Sequence, residues 1–516
     1  MTSASFASSG PVATTTAGAL QGAVVGRVGA FLGIPFAAPP TGGRRWLPPQ
    51  PVEPWSGVRD ATRPGPSCLQ AAPSPGRRLL DMTEHTTDED CLYLNVWTPA
   101  CDDRRRPVLV WLHGGAFVIG SGALAFYDGS ALAARGDVVV VTVNYRLGLF
   151  GWLRSEALGT SGNEGLEDQR AALDWVTREI AAFGGDPDEV TLFGESAGAI
   201  SIAAHLASGP AAGPAGHPGG RRFRRAVLQS GAHHLLLGRS AADRTCTRVL
   251  GDLGGPTADD LRSLGAGELL AVQDRATPRA AGIFYGALRD GALVATGPLA
   301  ALRSGVAAGI DLLIGSNRDE MGFFWGRDPG FDQVEPARLR SIARQWSPDE
   351  AGADALIDAY RRARTARGEP TDERALAVAI DTDATFRRGA LELADAQIDH
   401  ATVHTYLFDW PSPLHDGRVG AAHLLETPFV FGTHHDPTVA DFAGAERPGA
   451  DELSAAMMDA WIAFARHGDP GWAAHDRQRR PTMVFGARSA LAEDPLGLER
   501  RAWGLVSSSD PRRGGG

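Results

Sequence analysis

Lysine is absent from all 516 residues, so every side chain with a fixed positive charge is an arginine. Without lysine there is no Schiff base, no pyridoxal-phosphate anchor and no P-loop amine, and several large classes of mechanism drop out. Cysteine is scarce too. The four present (Cys68, Cys91, Cys101, Cys246) are too few for a disulfide scaffold and lack zinc-ligand spacing. No apolar run approaches the ~20 residues that cross a bilayer. The Ser/Thr/Ala-rich start, 1–16, has neither a basic nor an apolar leader region, so a cytoplasmic location is expected. A net charge of −11 with no basic stripe argues against nucleic acid or an anionic membrane as partner.

What is present reads as a large α/β protein: 43% hydrophobic and 22% charged, long enough to bury a substantial core. Mainly apolar runs at 108–112, 138–143, 190–193, 226–228, 312–314 and 402–408 suit strands of a parallel sheet buried on both faces. Residues 24–36 suggest a strand or hairpin, and 92–97 alternate with period two. Between the runs lie helical patterns. The clearest, 164–183, puts Leu166, Leu173, Val176 and Ile180 on one face and stops at Gly-Gly-Asp-Pro, 184–187. Further helices are expected at 258–274, 336–366, 383–399 and 450–466. One domain over 1–506 is expected, with helices of about 321–400 capping the C-terminal edge of the sheet, where open α/β folds bind ligands. The Gly/Pro/Ala stretch 209–220 reads as a mobile loop and 507–516 as a disordered tail.

The chain turns on VTLFGESAGA, 190–199: an apolar strand, a glycine-bracketed serine, then a helix-compatible stretch. A residue at so tight a strand-to-helix turn is forced into a strained conformation, and Gly194 and Gly198 leave room for it. Such a turn lifts the Ser196 hydroxyl clear of the sheet and aims the first N–H groups of the next helix at the reacting oxygen. An alcohol needs a base, and the base needs an acid to hold its tautomer. On this topology the acid and then the histidine follow the serine. Asp319 and Glu320 stand just past the 312–314 run. The later histidines are at 400, 404, 415, 423, 434, 435, 467 and 475, and spacing does not choose among them.

The chain resembles the type-B carboxylesterase/lipase family of α/β-hydrolases, which includes cholinesterases and bacterial para-nitrobenzyl-ester hydrolases. The resemblance runs nearly end to end: FLGIPFA (31–37), EDCLYLNVW (89–97), HGGAF (113–117), NYRLG (144–148), GNEGLEDQ (162–169), AFGGDP (182–187), GESAGA (194–199) and QSG (229–231). It implies an α/β-hydrolase fold and a serine esterase acting on a small-molecule ester through an acyl-enzyme, with no metal or cofactor. It also implies Ser196 as nucleophile, Glu320 as acid and His423 as base, and an oxyanion hole from the N–H groups of Gly115, Ala116 and Ala197. Gly114, Phe117, Glu195, Ser230 and Phe324 become candidates for the substrate pocket. Cys68 and Cys91 match positions that close a loop by a disulfide in secreted relatives; a cytosolic protein would keep them as thiols. That loop, 69–90, lacks the aromatic residue that holds quaternary ammonium in cholinesterases, so choline esters are not expected. Relatives commonly carry glycine after the histidine, where Leu424 stands here. The same chemistry on carbamate or amide bonds, and an esterase-like binding or adhesion module without catalysis, are the alternatives. Because the base must be neutral, activity is expected to rise through roughly pH 6 to 7 and stay flat above it.

Overall fold

A computed structural model describes residues 10–71, 86–209, 221–231, 233–253, 258–276, 283–326, 330 and 333–505. The stretch read as a mobile loop, apart from Gly209, and the tail 507–516 lie outside the described residues.

The apolar runs become an eleven-stranded sheet. In chain order its strands are β1 (Ala23–Val25), β2 (Val28–Pro35), β3 (Tyr93–Thr98), β4 (Arg106–Leu112), β5 (Val139–Val143), β6 (Gly185–Glu195), β7 (Arg225–Gln229), β8 (Asp311–Asn317), β9 (Val403–Asp409), β10 (Pro481–Gly486) and β11 (Ala490–Glu493). They lie side by side as β11-β10-β9-β8-β7-β6-β4-β5-β3-β2-β1. From β10 to β5 the neighbours are parallel, and the edges are antiparallel. The parallel strands β4, β5 and β7 are buried along their whole length, as strands covered on both faces must be. Strand order reverses at β4, which lies between β6 and β5, and the carboxyl ends of strands at such a switch are where open α/β folds bind ligands.

The helix expected at 164–183 forms as α1 (Glu164–Glu179) with a 3-10 turn, Ile180–Phe183. It carries Asp168, whose carboxylate pairs with the Arg146 guanidinium at 2.7 Å through both Nε and Nη2. Both side chains are buried, so this pair ties the 144–148 and 162–169 motifs together; taking either partner away would strand a charge in the core.

Three expected helices differ. The 336–366 pattern breaks into α4 (Pro336–Gln345) and α5 (Glu350–Arg367). Pro348 cannot continue a helix, and Asp349 starts the next by accepting the Gly352 N–H at 2.7 Å. The 258–274 pattern divides at Gly265 into a short turn of helix, Ala258–Ser263, and α3 (Ala266–Ala276). The one placed at 383–399 begins earlier, as α6 (Glu373–Thr382) capped by Asp372, passes through a π-turn (Asp383–Arg387) and ends as α7 (Arg388–Gln397). Strands β10 and β11 do not stand out in the sequence: β10 opens on a proline, and β11 has four residues, mostly exposed. Residues from α4 to α6 form an apolar cluster of their own around Leu356, Tyr360 and Ile380. Among the described residues no helix is long and apolar enough to cross a membrane.

Candidate active site

Ser196 stands between β6 and α2 (Ala197–Ala207) at φ 54°, ψ −117°, a strained conformation for any residue with a Cβ. Its N–H donates to the Gln229 carbonyl at 2.9 Å and its carbonyl accepts from Ile200 at 2.9 Å. The glycines on either side are imposed by β4. Gly194 pairs with Leu112 in register, and a Cβ on Gly194 or Gly198 would overlap the Leu112 carbonyl oxygen, which is backbone and cannot swing aside. Gly198→Ala is therefore expected to push α2 off the sheet. We anticipate a loss of about 1–3 kcal/mol in urea unfolding together with a fall in kcat. Gly251→Ala, at a helical glycine with no atom nearby, should be neutral or stabilising by up to about 1 kcal/mol.

Beyond β4 the chain runs through Gly115, Ala116 and Phe117 at φ 114°, 53° and 63°. Three consecutive left-handed residues bend the loop back over the elbow. The loop is held by the Gly115 carbonyl, which accepts from Val118 and Ile119 at 3.1 Å, and by His113, stacked on Tyr145 with centroids 4.4 Å apart. Among the described residues none accepts a hydrogen bond from the N–H of Gly115, Ala116 or Ala197. Such a group of unpaired donors suits a developing oxyanion.

Glu320 follows β8. Its Oε2 lies 2.6 Å from His423 Nδ1, its Oε1 accepts the Asn317 N–H at 2.7 Å, and its carbonyl accepts the His423 N–H at 3.2 Å. Asp319 points elsewhere, accepting the Ala421 N–H at 3.1 Å. Of the two carboxylates, then, only Glu320 reaches the ring, and Asp319 fastens the loop that presents it. The other face of the imidazole meets Glu195, with Oε1 2.9 Å from Nε2, although neither atom forms an aligned hydrogen bond. Among the described residues the Ser196 hydroxyl makes no hydrogen bond to the ring. Gly114 sits over both groups: a Cβ there would strike the Glu195 carboxylate and come within 3.2 Å of Ser196 Cβ.

Burial alone would drive the His423 pKa down, but the Glu195 and Glu320 carboxylates outweigh it and lift it to about 10. Two anions favour imidazolium, which places the expected rise in activity at higher pH than an ordinary imidazole would. Burial likewise raises Glu195, with His423 opposing.

The remaining pocket candidates fall unevenly. Phe324 is 38% exposed and its ring lies 5.1 Å from His423. Phe117 is fully buried, packed edge-on against Trp152 at 4.7 Å, so its side chain belongs to the core. Ser230 is buried at φ 53°, its hydroxyl without a hydrogen-bond partner among the described residues. Cys68 and Cys91 are buried free thiols, the Cys68 sulfur accepting the Leu147 N–H at 3.1 Å.

Two further residues, neither given a role in the sequence reading, stand at the site. Phe386, on the π-turn, brings its ring to 4.7 Å from His423. Glu426, fully buried, accepts from Gln229 Nε2 at 3.0 Å and Asn317 Nδ2 at 2.6 Å. Burial, with the nearby Glu195 and Glu320, lifts its pKa to about 7. No motif marks Phe386, and resemblance gave Glu426 only its place after His423, because each acquires its role only once distant strands are assembled. Leu424 adopts φ 74°, in the left-handed region that favours glycine.

Residues 9–484 match the carboxylesterase family. The chain is 36% identical over 512 residues to para-nitrobenzyl esterase of Bacillus subtilis (strain 168), covering 95% of this chain and 98% of that protein. It is 34% identical over 468 residues to phenmedipham hydrolase of Pseudarthrobacter oxydans, covering 89% and 90%. The structure superimposes on Geobacillus stearothermophilus carboxylesterase EST55 with a TM-score of 0.81 at 41% identity, covering 95% of this chain and 99% of that one.

Proposed function

The chain belongs to the carboxylesterase family and is a carboxylic-ester hydrolase of α/β-hydrolase fold, and from that premise we propose that it works through an acyl-enzyme formed on Ser196. Ser196 Oγ attacks the ester carbonyl while His423 Nε2 takes its proton. The tetrahedral oxyanion is received by the N–H groups of Gly115, Ala116 and Ala197. His423 then passes the proton to the departing alcohol, and the same steps with water release the acid. Glu320 holds the ring through Nδ1, fixing the tautomer that leaves Nε2 free. The observation that carries this reading is the buried 2.6 Å contact between Glu320 and His423, 103 residues apart in sequence, beside the strained elbow.

The helices of about 321–400 act in this reading as a cap, contributing Phe324 and Phe386 to an apolar wall next to the reacting atoms. Ester bonds with apolar acyl or alcohol groups suit such a wall. The test is a fluorophosphonate probe followed by peptide mass spectrometry. A single adduct on Ser196 is expected; an adduct on another residue with Ser196 unmodified overturns the assignment. Para-nitrophenyl esters, carbamates and amides, assayed in parallel, fix the bond class.

Turnover requires Nε2 to serve Ser196 while Glu195 holds it electrostatically, and catalytic contacts commonly tighten only with substrate in place. A raised imidazole pKa keeps the base protonated until the pH climbs, so kcat/KM should still be increasing above about pH 7. Glu195→Gln removes one of the anions that favour imidazolium. Its rising limb should therefore move to lower pH by about 1–3 units. A limb that stays in place in Glu195→Gln would show that Glu195 does not act on the ring.

A further inference from the structure

Away from the elbow, the structure brings two imidazoles and a carboxylate to one point. Helix α8 (Thr427–Phe431) directly follows Glu426 and ends at Gly432. The chain then makes a hydrogen-bonded turn, with Thr433 N–H donating to Pro428 O and Asp436 N–H to Thr433 O, both at 2.8 Å. His434 and His435 project from that turn. Neighbouring side chains commonly diverge, yet these two rings lie 4.3 Å apart, and each Nε2 is 2.8 Å from the same oxygen, Oδ1 of Asp451. Asp451 belongs to the first turn of α9 (Ala450–His467). The three donor atoms all lie within 4.8 Å of one another.

We propose that His434, His435 and Asp451 form a binding site for a borderline divalent metal ion of the zinc type, distinct from the esterase machinery. Two imidazole nitrogens and one carboxylate oxygen select zinc, nickel or copper over magnesium or calcium, which prefer oxygen throughout. In a tetrahedral zinc site the ligand atoms stand about 3.3 Å apart, so the present 2.8 Å separations need only a small opening. Asp451, with 76% of its side chain exposed, is free to provide it. The remaining geometry is pre-set. His434 is buried and stacked on Phe429, with centroids 5.2 Å apart and planes 11° from parallel. His435 turns Nδ1 toward the exposed Glu446 carboxylate at 3.8 Å, too far for a hydrogen bond. Among the described residues His434 Nδ1 has no partner, which weakens binding about 10- to 100-fold relative to a site with one. The exposed side leaves a fourth position for water. A bound ion would clamp the turn after α8 to the start of α9, bracing from behind the segment that carries His423 and Glu426.

Without metal, both Nε2–H groups can simply share Asp451 Oδ1 as hydrogen-bond donors, and the test separates the two states. The full chain is stripped with a chelator and titrated with zinc chloride by calorimetry, then with cobalt chloride while visible absorption is recorded. The expected result is one equivalent bound, a tetrahedral cobalt spectrum and a melting temperature that rises with zinc. His435→Ala and Asp451→Asn, both at exposed side chains, should weaken binding by more than about 100-fold. Both should abolish the zinc-induced rise in melting temperature while keeping the metal-free esterase rate. Absence of stoichiometric binding, or binding that survives both substitutions, overturns the proposal.

Discussion

Ser196→Ala is expected to lower kcat on para-nitrophenyl acetate by about 10⁵- to 10⁶-fold and to leave the fold intact. Alanine keeps the Cβ that already occupies the turn, and the backbone contacts of residue 196, to Gln229 and Ile200, do not involve the hydroxyl. Only the hydroxyl proposed as nucleophile goes. The unpaired N–H groups of Gly115, Ala116 and Ala197 survive the substitution, so a residue of about 10³- to 10⁴-fold over water should persist. That remainder is informative, because it should show no burst of para-nitrophenol: water attacking directly leaves no acyl-enzyme to accumulate. Retention of more than about 1% of the wild-type rate, with a burst, would mean that another residue carries the acyl group.

Much of this site was legible because its requirements are local. Gly194 and Gly198 flank the serine, and the structure supplies the reason in the Leu112 carbonyl that excludes a Cβ from both. The parallel strands announced themselves as unbroken apolar runs, since strands covered on both faces have no reason to alternate. Segment boundaries were harder. The helix at 373–397 hides its start, as Asp372 is one acidic residue among several, and its π-turn has no compositional mark.

What the sequence could not display is convergence. Eight histidines follow Glu320 in the sequence, and nothing local singles out His423; resemblance named it, and the 2.6 Å contact to Glu320 supports the proposed role. Glu195 was visible as a neighbour of the serine, yet its approach to Nε2, and with it the upward shift of the imidazole, is a product of two loops meeting. The expectation of a rise at pH 6–7 treated the histidine as an ordinary imidazole. The His434, His435 and Asp451 group is hidden for the same reason: a 15-residue gap separates the pair from the carboxylate, and no metal-site spacing resembles it.

The two adjacent carboxylates offer the sharpest separation of roles. Glu320→Gln preserves shape but removes the charge that faces Nδ1 at 2.6 Å. A glutamine can present its NH₂ to the ring, favouring the tautomer with the proton on Nε2, where it cannot accept from Ser196; the imidazolium also loses its buried counter-charge. A fall in kcat of about 10⁴-fold is expected. Asp319→Asn should behave otherwise. Its task is to accept the Ala421 N–H at 3.1 Å, which an amide oxygen does as well, so the rate should stay within about threefold of wild type, the limit set by ~0.6 kcal/mol. The opposite pattern, with Asp319→Asn inactive and Glu320→Gln active, would transfer the acid's role to Asp319. Equal losses in both variants, with unchanged melting temperatures, would mean that the position of the loop bearing His423 matters as much as the charge opposite its ring.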